Sequence, residues 1–259
     1  MQEPGTHKKN NLVLGIISDC VHIRNSEGVI GSKVHVLVKQ LDHLSTYFEQ
    51  VYICAPVLNG NDNQSAISVY ENKNIVFIPI PLAGGNSIVS KLKLALVLPV
   101  WIFKIILICS KSDLVYLRAP NNISIPGFAI SSLFRKKKFS TFTGTWNGYK
   151  SEPFTYALQR KYLSKYFKGP VFVYGRLPSD RENIHSTISP SYSMDDWCME
   201  TTQVEGRVQS LAHQNVFARG INLITVGSLT DNKNQIFILE AMTKLKMLKV
   251  KFVLWVAGE

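Results

Sequence analysis

Apolar and polar positions follow two different rhythms along this chain. Short runs rich in β-branched and aromatic residues alternate with longer stretches of helical period, the pattern of a parallel sheet with crossover helices. LVLGIISD (Leu12–Asp19) is almost continuously apolar, as a strand covered on both faces must be. GVIGSK supplies a glycine-containing turn, with Ser32 placed to cap a helix. In the helix that follows, Val34, Leu37, Val38, Leu41, Leu44 and Phe48 share one face; Lys39, Asp42, Thr46 and Glu49 share the other. VYICAPV and IVFIPIP are expected as the second and third strands.

The alternation continues. Leu92–Cys109 is expected as the next crossover helix, DLVYLRAP (Asp113–Pro120) as a strand and IPGFAISSLFRKK as a short helix. KFSTFTGT (Lys138–Thr145) follows as a strand, FTYALQRKYLSKYF as an amphipathic helix with a basic flank, and Gly169–Gly175 as the last strand of this unit. From residue 176 to 220 periodicity fades into a polar linker with at least one short element. INLITVGSL, NQIFILEAMTKLKML and KFVLWVAGE then form a single βαβ unit. The division is therefore an N-terminal Rossmann-like domain (1–175), a linker (176–220) and a partial nucleotide-binding domain (221–259).

LKLALVLPVWIFKIILIC (Leu92–Cys109) complicates that picture, because it is nearly long enough to cross a bilayer. Pro99 and Lys104 interrupt it, which favours burial against a sheet or a place in the membrane interface. Charge adds to the second possibility. The 259 residues carry 29 Lys+Arg against 18 Asp+Glu, a net +11, so an anionic partner is expected. The runs KKNN and RKKKFS are either solvated ends or anchors on anionic lipid. No recognition helix or aromatic–basic sheet motif points to nucleic acid. Cys20, Cys54, Cys109 and Cys198 are scattered and read as free thiols, and the polar N-terminus does not resemble a targeting signal. A cytoplasmic protein, peripheral at the inner membrane face, is the resulting expectation.

In open parallel sheets ligands gather beyond the carboxyl ends of the strands. The first strand leads to Asp19 and then to Gly28, Gly31 and Ser32. That Gly-x-x-Gly spacing is either a plain turn or a loop that lets an anion approach a helix N-terminus. Arg118 follows a later strand and could pair with a phosphate or a neighbouring acid. Thr143, Trp146 and Asn147 follow the next; Trp146 could stack on a sugar or lid the core. No metal-ligand cluster and no nucleophile–histidine–acid order is visible, so no metal is expected. In ITVGSLTDNKNQIF a strand ends at Gly227 and Lys233 stands near a helix N-terminus, where a phosphate would meet both ammonium and dipole.

That strand–Gly–loop–Lys–helix unit, with VLWVAGE after it, resembles the start of the C-terminal domain of glycosyltransferase family 4, of GT-B fold. LVLGIISD…GVIGSKVHVLVKQL and DLVYLRAP are similar to elements of the family's N-terminal domain. The resemblance covers residues 12–175 and 221–259. It implies two Rossmann-like domains and retaining, metal-independent transfer of a sugar from a nucleotide-diphosphate donor, with no resident cofactor. The acceptor would be lipid-linked or a polysaccharide. It assigns Gly28, Gly31, Ser32, Gly227, Ser228, Lys233 and Gly258 to the donor, and leaves Asp19, Arg118, Thr143, Trp146 and Asn147 as acceptor candidates. Ser228 stands where the family usually has Arg, and the family's paired donor-contacting glutamates have no counterpart within these residues. The resemblance therefore implies a chain cut early in the second domain. A transfer-incompetent remnant acting as a scaffold, or a basic α/β nucleotide- or nucleic-acid-binding protein, are the competing expectations.

Overall fold

Strand β1 (Asn10–Ile17) lies in the interior of a ten-stranded sheet, hydrogen-bonded in parallel on both sides. A computed structural model describes residues 10–60, 67–85, 87–149, 152–175, 182–187, 204, 206, 221–227 and 235–258. They divide into two units, Met1–Ser191 and Tyr192–Glu259. In chain order the first unit contains β1, β2 (His22–Arg24), β3 (Ile30–Ser32), α1 (His35–Ser45), β4 (Phe48–Asn59), β5 (Ser68–Val69) and β6 (Ile75–Ile80). Then come α2 (Ile88–Lys111), β7 (Leu114–Ala119), α3 (Ser124–Leu133), β8 (Lys137–Phe142), α4 (Phe154–Lys165), β9 (Val171–Tyr174) and β10 (Ile184–Thr187).

The strand order is β10-β9-β8-β7-β1-β4-β2-β3-β5, with β6 also paired to β4. Pairing is parallel except where β3 meets β2 and β5, so the architecture is α/β, a mostly parallel mixed sheet of Rossmann-like character. Helices cover both faces, as parallel strands require. Trp101, Ile105 and Ile108 of α2 join Phe128 of α3 and Leu163 of α4 in one core cluster. Leu37 and Leu41 of α1 cover the other face, over Leu14, Ile16, Val51 and Ile53.

Several expectations need correction. GVIGSK is not a turn into a helix: Gly28 turns a β2–β3 hairpin, and Gly31 and Ser32 belong to β3. Ser32 does not cap α1, which starts after Val34 without a side-chain cap. Its buried hydroxyl instead donates to the Val21 carbonyl (2.9 Å) and accepts from the Val34 N–H (3.2 Å). Phe48 is not on the helix face, because α1 stops at Ser45 and Phe48 opens β4. Nor does β9 close the sheet. β10, inside the stretch expected as linker, pairs with it in parallel, and the first unit runs to Ser191. A four-residue edge strand among polar neighbours leaves little periodicity to read.

The second unit pairs β11 (Ile221–Val226) in parallel with β12 (Phe252–Ala257), connected through α5 (Gln235–Met247). Its apolar side chains are thinly covered: Ile224, Val226, Phe237 and Trp255 are all exposed.

Candidate functional site

Strand order β8-β7-β1 places the carboxyl ends of three expected site strands side by side. Asp19 lies just beyond β1, Arg118 in the last turn of β7, and Thr143 just beyond β8. Alternation along β7 then separates chemistry from core. Leu117 faces the α2/α3 side, whereas Tyr116 faces the α1 side, the side on which Arg118 also falls.

Asn121, which sequence reasoning passed over, ties these pieces together. Its Nδ2 donates to Asp19 Oδ1 (3.2 Å) and to the Arg118 carbonyl. Its Oδ1 accepts from the N–H of Ser124, the first residue of α3 (2.7 Å). Its own N–H donates to Gln159 Oε1 on α4 (3.2 Å). One buried amide thus joins two strand ends and two helices. The signal was present as an asparagine right after a strand-ending Ala-Pro, three residues before a helical run.

Two donors at this edge stay unsatisfied. Arg118 Nη1 and Gln159 Nε2 are buried without a hydrogen-bond partner among the described residues. The Gln159 amide is oriented by Asn121, whose N–H requires an oxygen, so the nitrogen is the free end. Such groups call for an acceptor from water or ligand. The guanidinium also acts at a distance. It moderates the pKa of Asp19, which burial raises, and helps Asn121 favour the carboxylate. It likewise tempers the burial-driven rise of the Cys20 thiol.

The loop after β8 is firmly seated. Thr143 donates both its N–H (2.7 Å) and its hydroxyl (3.2 Å) to the Ala119 carbonyl. Trp146 is half-buried and packs edge-on against Phe142, ring centroids 5.2 Å apart. Asn147 is exposed beside it. Glu152 and Arg160 make a forked ion pair beside Gly148, and Arg160 holds the Glu152 carboxyl below the usual range.

The expected donor residues fall in both units, Gly28, Gly31 and Ser32 in the first and Gly227 and Gly258 in the second. Gly28, with φ +82°, sits at the hairpin tip with open space around it. Gly31 is needed for packing, since a Cβ there would lie 2.3 Å from the Ser68 carbonyl oxygen on β5. In the second unit, Gly227 and Gly258 meet where β11 and β12 end; a Cβ on Gly258 would reach 1.8 Å from the Gly227 oxygen. Ser228 and Lys233 lie outside the described residues. No group of three or more His, Cys, Asp or Glu with metal-binding proximity occurs among the described residues.

Three lysines gather at the opposite, amino edge of the sheet. Lys137, Lys138 and Lys168 rim a groove of about 520 Å³ floored by Leu114, Phe139 and Phe172. Lys138 is not a solvated end of the basic run. It is buried, donates to Ser132 Oγ (2.9 Å) and lies over the Phe167 ring, and burial lowers its pKa. Compared with known proteins, the chain matches no protein-family model and no curated protein sequence.

Proposed function

We propose that this chain is a glycosyltransferase chain of GT-B type, moving a sugar from a nucleotide-sugar donor to a lipid-linked or polysaccharide acceptor. The observation that carries the reading is the convergence at one sheet edge of a carboxylate (Asp19), a guanidinium with a free buried N–H (Arg118) and a locking amide (Asn121). In parallel α/β sheets that edge is where ligands bind. Asp19 would accept a hydrogen bond from an acceptor hydroxyl, and Arg118 would face an anionic or oxygen-rich part of the same molecule. The second unit would hold the donor. Gly227 leads out of β11, and Ser228 and Lys233 follow in sequence before α5. An ammonium beside a helix N-terminus suits a diphosphate, and stabilising the charge that develops on it is the main catalytic contribution such a site can make. The reaction needs no metal in this reading and retains configuration at the sugar.

Titration calorimetry of the full chain with nucleoside diphosphates tests the donor half. Lys233→Ala is expected to weaken binding at least tenfold, whereas Asp19→Asn and Arg118→Ala leave it unchanged but reduce transfer to membrane-extract acceptors. Nucleotide affinity indifferent to Lys233→Ala removes the donor-site assignment. Strongly salt-dependent RNA binding instead would favour a nucleic-acid-binding role.

A further inference from the structure

Helix α2 is apolar on both sides, but only one side is covered. Trp101, Ile105 and Ile108 are buried in the core, and the Trp101 indole N–H donates to the Pro81 carbonyl (3.0 Å). On the far side Ile88 is 77% exposed, Leu92 62%, Leu96 79% and Phe103 63%. With about 3.6 residues per turn, these four fall with Pro99 and Ile106 in one sector about 80° wide. The same geometry sets Lys93 and Lys104 along one flank of the sector and Lys91 on the other; Lys111, also on the Lys93 side, holds its ammonium over the Tyr52 ring at 5.5 Å. Neither α2 nor the neighbouring α3 contains an acidic residue. At the end of α3, Leu133 and Phe134 are exposed, followed by Arg135 and Lys136. Lys136 acts on the Cys109 thiol near the end of α2, so the two basic ends are neighbours.

We infer that the outer face of α2 is a docking surface for an anionic lipid bilayer, with the helix lying in the plane of the interface. An apolar stripe bordered only by cations matches acyl chains below and lipid phosphates beside them; lysine stems extend along the apolar flank to reach that level. A protein partner would have to be both apolar and acidic along the whole stripe. α2 does not cross the bilayer, although it is long and apolar enough to do so. Its inner face holds the core cluster together, and removing the helix would strip Trp101, Ile105 and Ile108 from it. The attachment does not depend on sugar transfer, but it bears on the candidate site. α2 begins at the carboxyl edge of the sheet, and its leading loop passes close to the site: a Cβ on Gly84 would lie 3.4 Å from Asn122 Nδ2, next to Asn121.

Vesicle flotation of the full chain tests this. It is expected to float with phosphatidylglycerol–phosphatidylcholine vesicles, to be released by salt or alkaline carbonate, and to bind phosphatidylcholine alone weakly. Leu96→Glu with Phe103→Glu should lower binding at least tenfold while circular dichroism stays unchanged, because both side chains are exposed. Lys91→Gln and Lys93→Gln should each lower it about fivefold. Three results would overturn the inference: equal affinity for charged and neutral vesicles, resistance to carbonate, or a soluble dimer dissolved by the same double substitution. Loss of sugar transfer with vesicle binding intact would count only against the function proposed above.

Discussion

Asn121 and Asp19, far apart in sequence, are joined by a 3.2 Å hydrogen bond from the Asn121 amide to the Asp19 carboxylate. The same amide accepts from the Ser124 N–H at the start of α3, so the site and the first residue of the helix share one side chain. Asn121→Ala should destabilise the protein by about 1–3 kcal/mol, because it leaves the Ser124 N–H and the Asp19 carboxylate without their partner. Asn121→Asp retains the acceptor for Ser124 but sets two carboxylates together. Urea unfolding should rank the variants in that light, with Asn121→Asp recovering stability as the pH falls low enough to protonate one acid.

Arg118 has the clearest electrostatic signature. Its charge favours the ionised form of Asp19, so Arg118→Met should raise the Asp19 pKa further above the ordinary carboxylate value. Carbon-detected NMR titration of the Asp19 carboxyl reads this directly. An unchanged titration would mean that the two charges do not communicate.

Buried His22 predicts how stability varies with pH. Its Nδ1–H donates to the Cys20 carbonyl (2.9 Å), leaving Nε2 to accept from the Tyr70 hydroxyl (2.9 Å), so the ring is neutral. Burial lowers its pKa from 6.5 to about 4. Between those values the unfolded chain binds more protons than the folded one, so this contribution is fully present above pH 6.5 and falls away as pH drops toward 4. The loss amounts to about 3 kcal/mol at most. Thermal melts across that range should show a slope that His22→Gln removes.

Two glycines expected to serve one loop should respond differently. Gly31→Ala drives a Cβ into the Ser68 carbonyl and should cost about 1–3 kcal/mol. Gly28→Ala meets only the strain of a positive φ and should cost about 1 kcal/mol. Denaturation midpoints of the two variants test the contrast. Equal tolerance would show that β3 does not need its close contact with β5.

Which features the sequence revealed depended on how much apolar residue each element buries. β1, β4 and β7 were legible because Leu14, Ile16, Ile53 and Leu117 lie in a double-covered sheet and form near-continuous apolar runs. β2, β3, β5 and β10 were not, since strands of two to four residues complete no hydrophobic period. Ser32 misled for a similar reason: a serine ahead of a helical run usually caps it, yet here the backbone enters a hairpin first. Asp19, Arg118 and Thr143 were expected at strand ends, and they lie there. Asn121 and Gln159 were missed because their roles depend on contacts 102 and 38 residues apart in sequence, which no local pattern encodes.

The alternation of β7 also guards against error during folding. If β7 slid by one residue against β1 and β8, Arg118 would point under α3 and Leu117 would take its place at the polar edge. A stranded guanidinium in that apolar layer is costly enough to reject the misaligned sheet outright. The residue proposed to meet the ligand thus also works as a proofreader, admitting only the pairing in which the site exists.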